Sequence, residues 1–245
     1  MLRSIRNLFE DKLGALDGEI GHVNDFYFDD RNWAVRYLVA DTGSWMPGRL
    51  VLISPHSFGA LYQGGKTLLL NLTRQQIENG PSIDSHKPLS RHYEEEYHRN
   101  FGWPFHWDGG RSWGMSVRPA IPPAAKPLLH EQTLAKGVKQ ETSEPHLHSV
   151  KAIVGYHLQA TDGIIGHVAD FLVSDENWVV QCMVVETRRW MSGKRVMILA
   201  NQINRISWDE SKIYVDLTKE AVLGSQGFDP SDFGVREHDP RLFVR

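Results

Sequence analysis

The stretch Asp17-Gly-Glu-Ile-Gly-His-Val-Asn-Asp-Phe26 returns as Asp162-Gly-Ile-Ile-Gly-His-Val-Ala-Asp-Phe171, and no other feature of the sequence constrains the fold as much. The offset of 145 residues holds without a gap through Asn32-Trp33 and Asn177-Trp178, Trp45-Met46 and Trp190-Met191, Gly48 and Gly193, Val51 and Val196, Ile53 and Ile198, and Leu72-Thr73 and Leu217-Thr218. Roughly 21 of 57 aligned positions are identical, and a period this long makes each copy a small domain rather than one turn of a solenoid. Each copy spans only about 75 residues, near the lower limit for a self-sufficient core. Each therefore gains from burial against its sister copy or against the segments between them.

Comparing the copies exposes the strand pattern. In Trp33-Ala-Val-Arg-Tyr-Leu-Val-Ala40, alternation puts Trp33, Val35, Tyr37 and Val39 on one face, matched by Trp178, Val180, Cys182 and Val184. This predicts a half-buried strand of an antiparallel sheet. Further strands are expected over 49–54 and 194–199, with Val51, Ile53, Val196 and Ile198 inward, and over 68–72 and 213–217. Thr73 and Thr218 then stand as N-caps of short helices over 74–79 and 219–223. Ile20, Val23, Phe26 and Phe28 cannot share one face of a flat strand, which predicts a bulge near Asn24-Asp25. Short strands with turns at this spacing point to a small β-barrel or curled sheet per repeat.

The expected organisation is a first barrel over 1–80, a helix and aromatic-rich segment over 81–117, a flexible Pro-rich linker over 118–150, a second barrel over 151–225 and a tail over 226–245. The single cysteine, Cys182, has no disulfide partner within the chain and is read as a packing residue. The absence of a signal-like N-terminus and of any 18-residue apolar window predicts a cytoplasmic protein without a membrane-spanning helix. A net charge of −3 with interspersed signs gives no basic face for nucleic acid.

The motif Asp-Gly-x-Ile-Gly-His-Val-x-Asp-Phe, a following strand that opens with Trp, and Trp-Met-x-Gly-Arg/Lys before Val-x-Ile resemble PRC-barrel domains over residues 10–80 and 153–225. That resemblance implies two tandem, mainly β, antiparallel barrels with short helices. The barrel type occurs in the cytoplasmic domain of the photosynthetic reaction-centre H subunit and in the C-terminal half of the ribosome maturation factor RimM. The implied role is a non-enzymatic binding or assembly module acting on an unidentified protein partner, with the barrels paired within the chain or as a homo-oligomer. A second expectation from the same resemblance is an accessory factor of a membrane-bound photosynthetic or electron-transfer complex, attached peripherally.

Candidate sites follow from what both copies keep. Gly21, His22 and Asp25, with Gly166, His167 and Asp170, suggest a metal-dependent enzyme only if a bulge brings His and Asp together, since positions three apart on a strand face opposite ways. The favoured reading is structural: the aspartates brace turns through backbone N–H groups, and no metal or cofactor is expected. His146-Leu-His148 has ligand-like spacing without companions, and the sequence carries no nucleophile elbow or phosphate loop. Asp29-Asp30 and Glu94-Glu-Glu96 read as solvated faces. The binding candidates are the hairpin tips Trp45, Met46, Gly48, Arg49 and Trp190, Met191, Gly193, Lys194, where aromatic area meets a cation; the favoured alternative is that each tryptophan folds back over its barrel mouth or packs against the sister barrel, since two marginal cores gain from mutual burial. Trp103 and Trp107, in the aromatic run, would either clamp the barrels together or present a sticky surface.

Overall fold

A computed structural model describes residues 1–9, 11–43, 45–61, 66–80, 91–101, 103, 147–187 and 194–233. The first half contains β1 (Leu2–Ser4), β2 (Lys12–Ala15), β3 (Gly18–Asp29), β4 (Ala34–Asp41), β5 (Leu50–Ile53), β6 (Phe58–Leu61), β7 (Thr67–Leu70), α1 (Arg74–Glu78) and α2 (Arg91–Phe101). The second contains β8 (Leu147–Ser149), α3 (Val150–Ile153), β9 (His157–Ala160), β10 (Gly163–Ser174), β11 (Val180–Thr187), β12 (Arg195–Leu199), β13 (Ile203–Ser207), β14 (Lys212–Val215) and α4 (Lys219–Leu223). Among the described residues no helix is long and apolar enough to cross a membrane.

The protein is mainly β, and the described residues form two seven-stranded sheets. One runs β5-β4-β3-β2-β7-β6 and the other β12-β11-β10-β9-β14-β13, each antiparallel except for the β2·β7 and β9·β14 pairs. The seventh strand of each sheet comes from the other repeat. β1 pairs with β10, placing Leu2 opposite Ser174, and β8 pairs with β3, placing Leu147 opposite Asp29. Leu2 and Leu147 are again 145 residues apart, so the echo extends into two N-terminal arms that are exchanged reciprocally.

The exchange joins the two halves through a shared core. Phe28 lies 5.3 Å from Phe171, and Phe26 stacks on Trp178 at 6.0 Å. Trp33 and Trp178 both adopt φ of 56°, a left-handed conformation that is costly for a bulky residue. The strain has a structural return. It turns the backbone so that Val35 N–H donates to Trp178 O at 2.8 Å while Val180 N–H donates to Trp33 O at 2.6 Å, a symmetric pair across the boundary.

The bulge at Asn24 is present, between Val23 and Asp25, with a matching one between Val168 and Asp170. It lets Ile20, Val23, Phe26 and Phe28 all reach the core. Thr73 and Thr218 cap α1 and α4. Val51, Ile53, Leu68 and Leu70 are buried in the core, as are Val196, Ile198, Ile213 and Val215.

The single inward face expected for β4 is corrected. Tyr27 pairs with Tyr37 but Phe28 with Val35, so Arg36 is an extra residue that reverses the alternation. Val35, Leu38 and Ala40 face the shared core, whereas Tyr37 and Val39 face a separate cluster beneath α2. Gln181 plays the same part in β11, sending Cys182 and Val184 to a cluster with Phe228. The strand is covered on both sides rather than half-buried. The linker range is corrected as well, since its last residues, Leu147–Val150, form β8 and begin α3; residues 118–146 lie outside the described residues.

Candidate functional site

Two places draw together residues that the repeats keep. The first is a cleft of about 460 Å³ beside the first hairpin tip, lined by Lys12, Glu19, Ile20, Gly21, His22, Thr42, Gly43, Trp45 and Arg74. Lys12 and His22 are cross-strand partners on β2 and β3, and His22 faces Asp41 on β4, with Nε2 3.9 Å from Oδ2. Copy two repeats this row as His157, His167 and Glu186.

Gly21 is required by a close approach rather than by a turn alone. A Cβ there would collide with the Asp41 carbonyl, and one at Gly166 with the Glu186 carbonyl. The glycine lets β3 press against β4 and so sets the floor of the cleft.

Trp45 forms one wall. It is partly buried against the core, and the Arg74 guanidinium lies over its ring at 5.6 Å, a cation–π contact. Arg74 also donates from Nε to Glu19 O at 3.1 Å, and its own N–H donates to Asp17 Oδ1 at 2.8 Å. The Lys12 ammonium pairs with Glu19 at 3.1 Å near the rim. The Thr42 hydroxyl fixes the tip by donating to Met46 O at 2.7 Å and Arg49 O at 2.8 Å. Gly48 supplies the φ of 74° that lets the chain return.

Arg49, the cation expected beside the tip tryptophan, is turned to the backbone and the Met46 sulfur. Its guanidinium donates to Gly80 O at 2.6 Å and contacts the Met46 sulfur at 3.6 Å. The cation that covers the Trp45 ring is instead the half-buried Arg74, which follows β7 three strands later in the chain. In the second copy Lys194 is exposed and its N–H donates to the Thr187 hydroxyl, while Trp190, Met191 and Gly193 lie outside the described residues. Trp107 lies outside them too. Trp103 stacks on Phe101 at 4.5 Å and lies 5.7 Å from Tyr97, half-buried against the cluster beneath α2 and against the shared core.

The second place is the boundary itself. Asp25 accepts from Phe26 N–H at 2.7 Å and Lys151 N–H at 3.1 Å through Oδ1, and from the Ser149 hydroxyl at 2.5 Å through Oδ2. Asp170 repeats this with Phe171 N–H, Arg6 N–H and the Ser4 hydroxyl. Each aspartate thus braces backbone N–H groups, but the brace spans the two repeats. Burial pushes both carboxyls up to about 6, against the lowering effect of those hydrogen bonds.

His22 and Asp25 are therefore not brought together. The bulge sends the imidazole to the cleft and the carboxylate to the arm. Among the described residues no three His, Cys, Asp or Glu side chains cluster in a way that could hold a metal ion. His148, which sequence spacing grouped with His146, is buried between Phe28 and Trp208 and bonded to Asp30 at 2.8 Å. Asp29 likewise is no solvated face, since it holds the buried Arg36 at 3.0 Å. Glu94 also faces inward, accepting from the Tyr37 hydroxyl at 3.0 Å. The arm residues Arg3, Ser4 and Ser149 were missed, and His148 was noted for its spacing from His146 rather than as part of an arm. The signal available was continuation of the 145-residue offset at Leu2/Leu147 and Ser4/Ser149. No family model matches the chain, and none of the curated proteins is significantly similar to it.

Proposed function

We propose that the chain is a non-enzymatic binding or assembly module of two PRC-type barrels, and that it takes a protein partner at the cleft beside the hairpin tip. The observation that carries this reading is the Trp45–Arg74 wall. It puts aromatic area, a guanidinium and the His22 imidazole around one open cleft of about 460 Å³. Aromatic and Arg side chains in a partly desolvated pocket are the combination that dominates binding energy at protein interfaces. Locked arms keep the two repeats in one arrangement, which lowers the ordering cost of engaging a partner.

The test is crosslinking and mass spectrometry in the native cell, comparing the wild type with a Trp45→Ala, Trp190→Ala chain. The expected result is a variant with unchanged circular dichroism that loses a specific crosslinked partner. A variant that keeps the partner overturns the reading, and one that unfolds makes the tryptophans core residues. An Arg74→Glu chain keeps the backbone bond to Asp17 and reads the charge contribution separately.

A further inference from the structure

The two boundary aspartates hold the arms without a charged donor. All three donors to Asp25 are neutral, and the Lys151 ammonium is turned to Asn24 Oδ1 at 2.8 Å and to the Phe9 ring at 5.4 Å. The same is true of Asp170, beside which the Arg6 guanidinium donates to Ala169 O at 3.4 Å. Both carboxyls are more than nine-tenths buried. An ionised carboxylate in such a place carries a desolvation cost that a neutral acid does not.

We infer that docking of the two arms is proton-linked, each arm closing most tightly on a neutral, protonated aspartate, so that acidification locks the repeats together and rising pH loosens them. The hydrogen bonds accommodate the proton. Oδ1 keeps its two backbone N–H donors, and a proton on Oδ2 reverses the bond to the serine: the acid donates to the serine oxygen, and the serine hydroxyl hydrogen, which donates to Oδ2 in the ionised form, rotates away from it. The serine oxygen already accepts from Ala152 N–H at 3.0 Å in one arm and from Asn7 N–H at 3.1 Å in the other, and it has a lone pair left for the acid.

The surrounding charges leave the direction intact. Around Asp25 the facing groups are Lys151 from α3, the His148–Asp30 pair beside Ser149, and Tyr27 on β3 itself. Around Asp170 they are Arg6, with Glu186 of β11 and Arg195 of β12 beside it, and the Arg3–Asp175 pair on the next arm residue. The positive groups favour ionisation, yet burial outweighs them at both positions.

A docked carboxyl near 6 and a released one near the ordinary 3.8 mean that the closed state binds more protons between those values. The closed-to-open ratio then falls by up to about tenfold per pH unit per arm across that window, or on the order of a hundredfold per arm in all. Release would leave the β3 edge at Tyr27–Asp29 and the β10 edge at Leu172–Ser174 without their partners.

The experiment is amide hydrogen exchange of the full chain between pH 4.5 and 7.5, corrected for intrinsic rates, on the Arg6 and Lys151 amides. In the wild type their opening equilibrium rises with pH; in an Asp25→Asn, Asp170→Asn chain the dependence flattens. A wild-type profile that is flat, or an equal slope in both chains, overturns the inference. Carboxyl carbon titration by NMR in the wild type needs no variant. Midpoints near 6 for Asp25 and Asp170 support the latch, and midpoints at or below 4 sink it.

Discussion

Arg3 and His148 occupy the same place on the two exchanged arms: Arg3 Nε meets Asp175 at 3.0 Å and His148 Nε2 meets Asp30 at 2.8 Å. Both pairs are separated by the 145-residue offset, so the arms share one geometry with different chemistry. Their surroundings differ too. The Arg3 side chain keeps 24% of its surface exposed, whereas that of His148 keeps 2%.

Arm truncations should therefore be unequal. Arg3→Ala removes a solvent-screened pair and is expected to cost within about 1 kcal/mol. His148→Ala strips a buried partner from Asp30 and two aromatic contacts, and is expected to cost about 3 kcal/mol. Urea unfolding of the two variants measures the difference, and equal losses would mean that burial of the imidazole contributes nothing.

The serine pair should behave alike, because Ser4 and Ser149 have the same donors and acceptors. Ser149→Ala leaves Asp25 short of one donor and the Ala152 N–H short of its acceptor, at about 1.5 to 3 kcal/mol. Ser4→Ala does the same to Asp170 and Asn7. Denaturant midpoints that move for one variant only would break the claimed symmetry of the latch.

Gly21→Ala and Gly166→Ala should each cost more than about 3 kcal/mol, the upper end of single-residue effects. The added methyl meets a carbonyl of the neighbouring strand, and backbone cannot rotate away as a side chain can. Gly227→Ala is the control, since nothing lies within 4 Å of a Cβ there, and it should stay within about 0.5 kcal/mol. Thermal unfolding of the three chains checks the ranking.

What sequence reading could and could not reach follows from the range of each signal. The Asn24 bulge was legible because Ile20, Val23, Phe26 and Phe28 violate a period of two within nine residues. The Thr73 and Thr218 caps were legible because capping is local. The face of β4 was not, because a single extra residue at Arg36 inverts every later position while the composition still alternates. The arms were not, because a three-residue strand shows no period and its partner lies across the chain. His22 and Asp25 were legible as kept residues, but only the bulge and the arm reveal that they serve different places.

The acid response should separate into two opposing contributions. His56, beneath Trp103, is lowered to about 4 by burial first and then by the nearby His98 and Arg36 charges. Its folded value lies below the ordinary 6.5, so the folded chain binds fewer protons, and this contribution to stability is lost as pH falls from about 6.5 toward 4. Asp25 and Asp170 act the other way, because their folded values near 6 lie above 3.8 and stability is gained as pH falls through that window. A His56→Gln chain should therefore gain more stability on acidification from pH 7 to 5 than the wild type does. An Asp25→Asn, Asp170→Asn chain should instead lose stability over the same range. Urea midpoints at half-unit pH steps give both slopes, and slopes of the same sign in the two variants would show that either His56 or the aspartate pair does not titrate as its surroundings require.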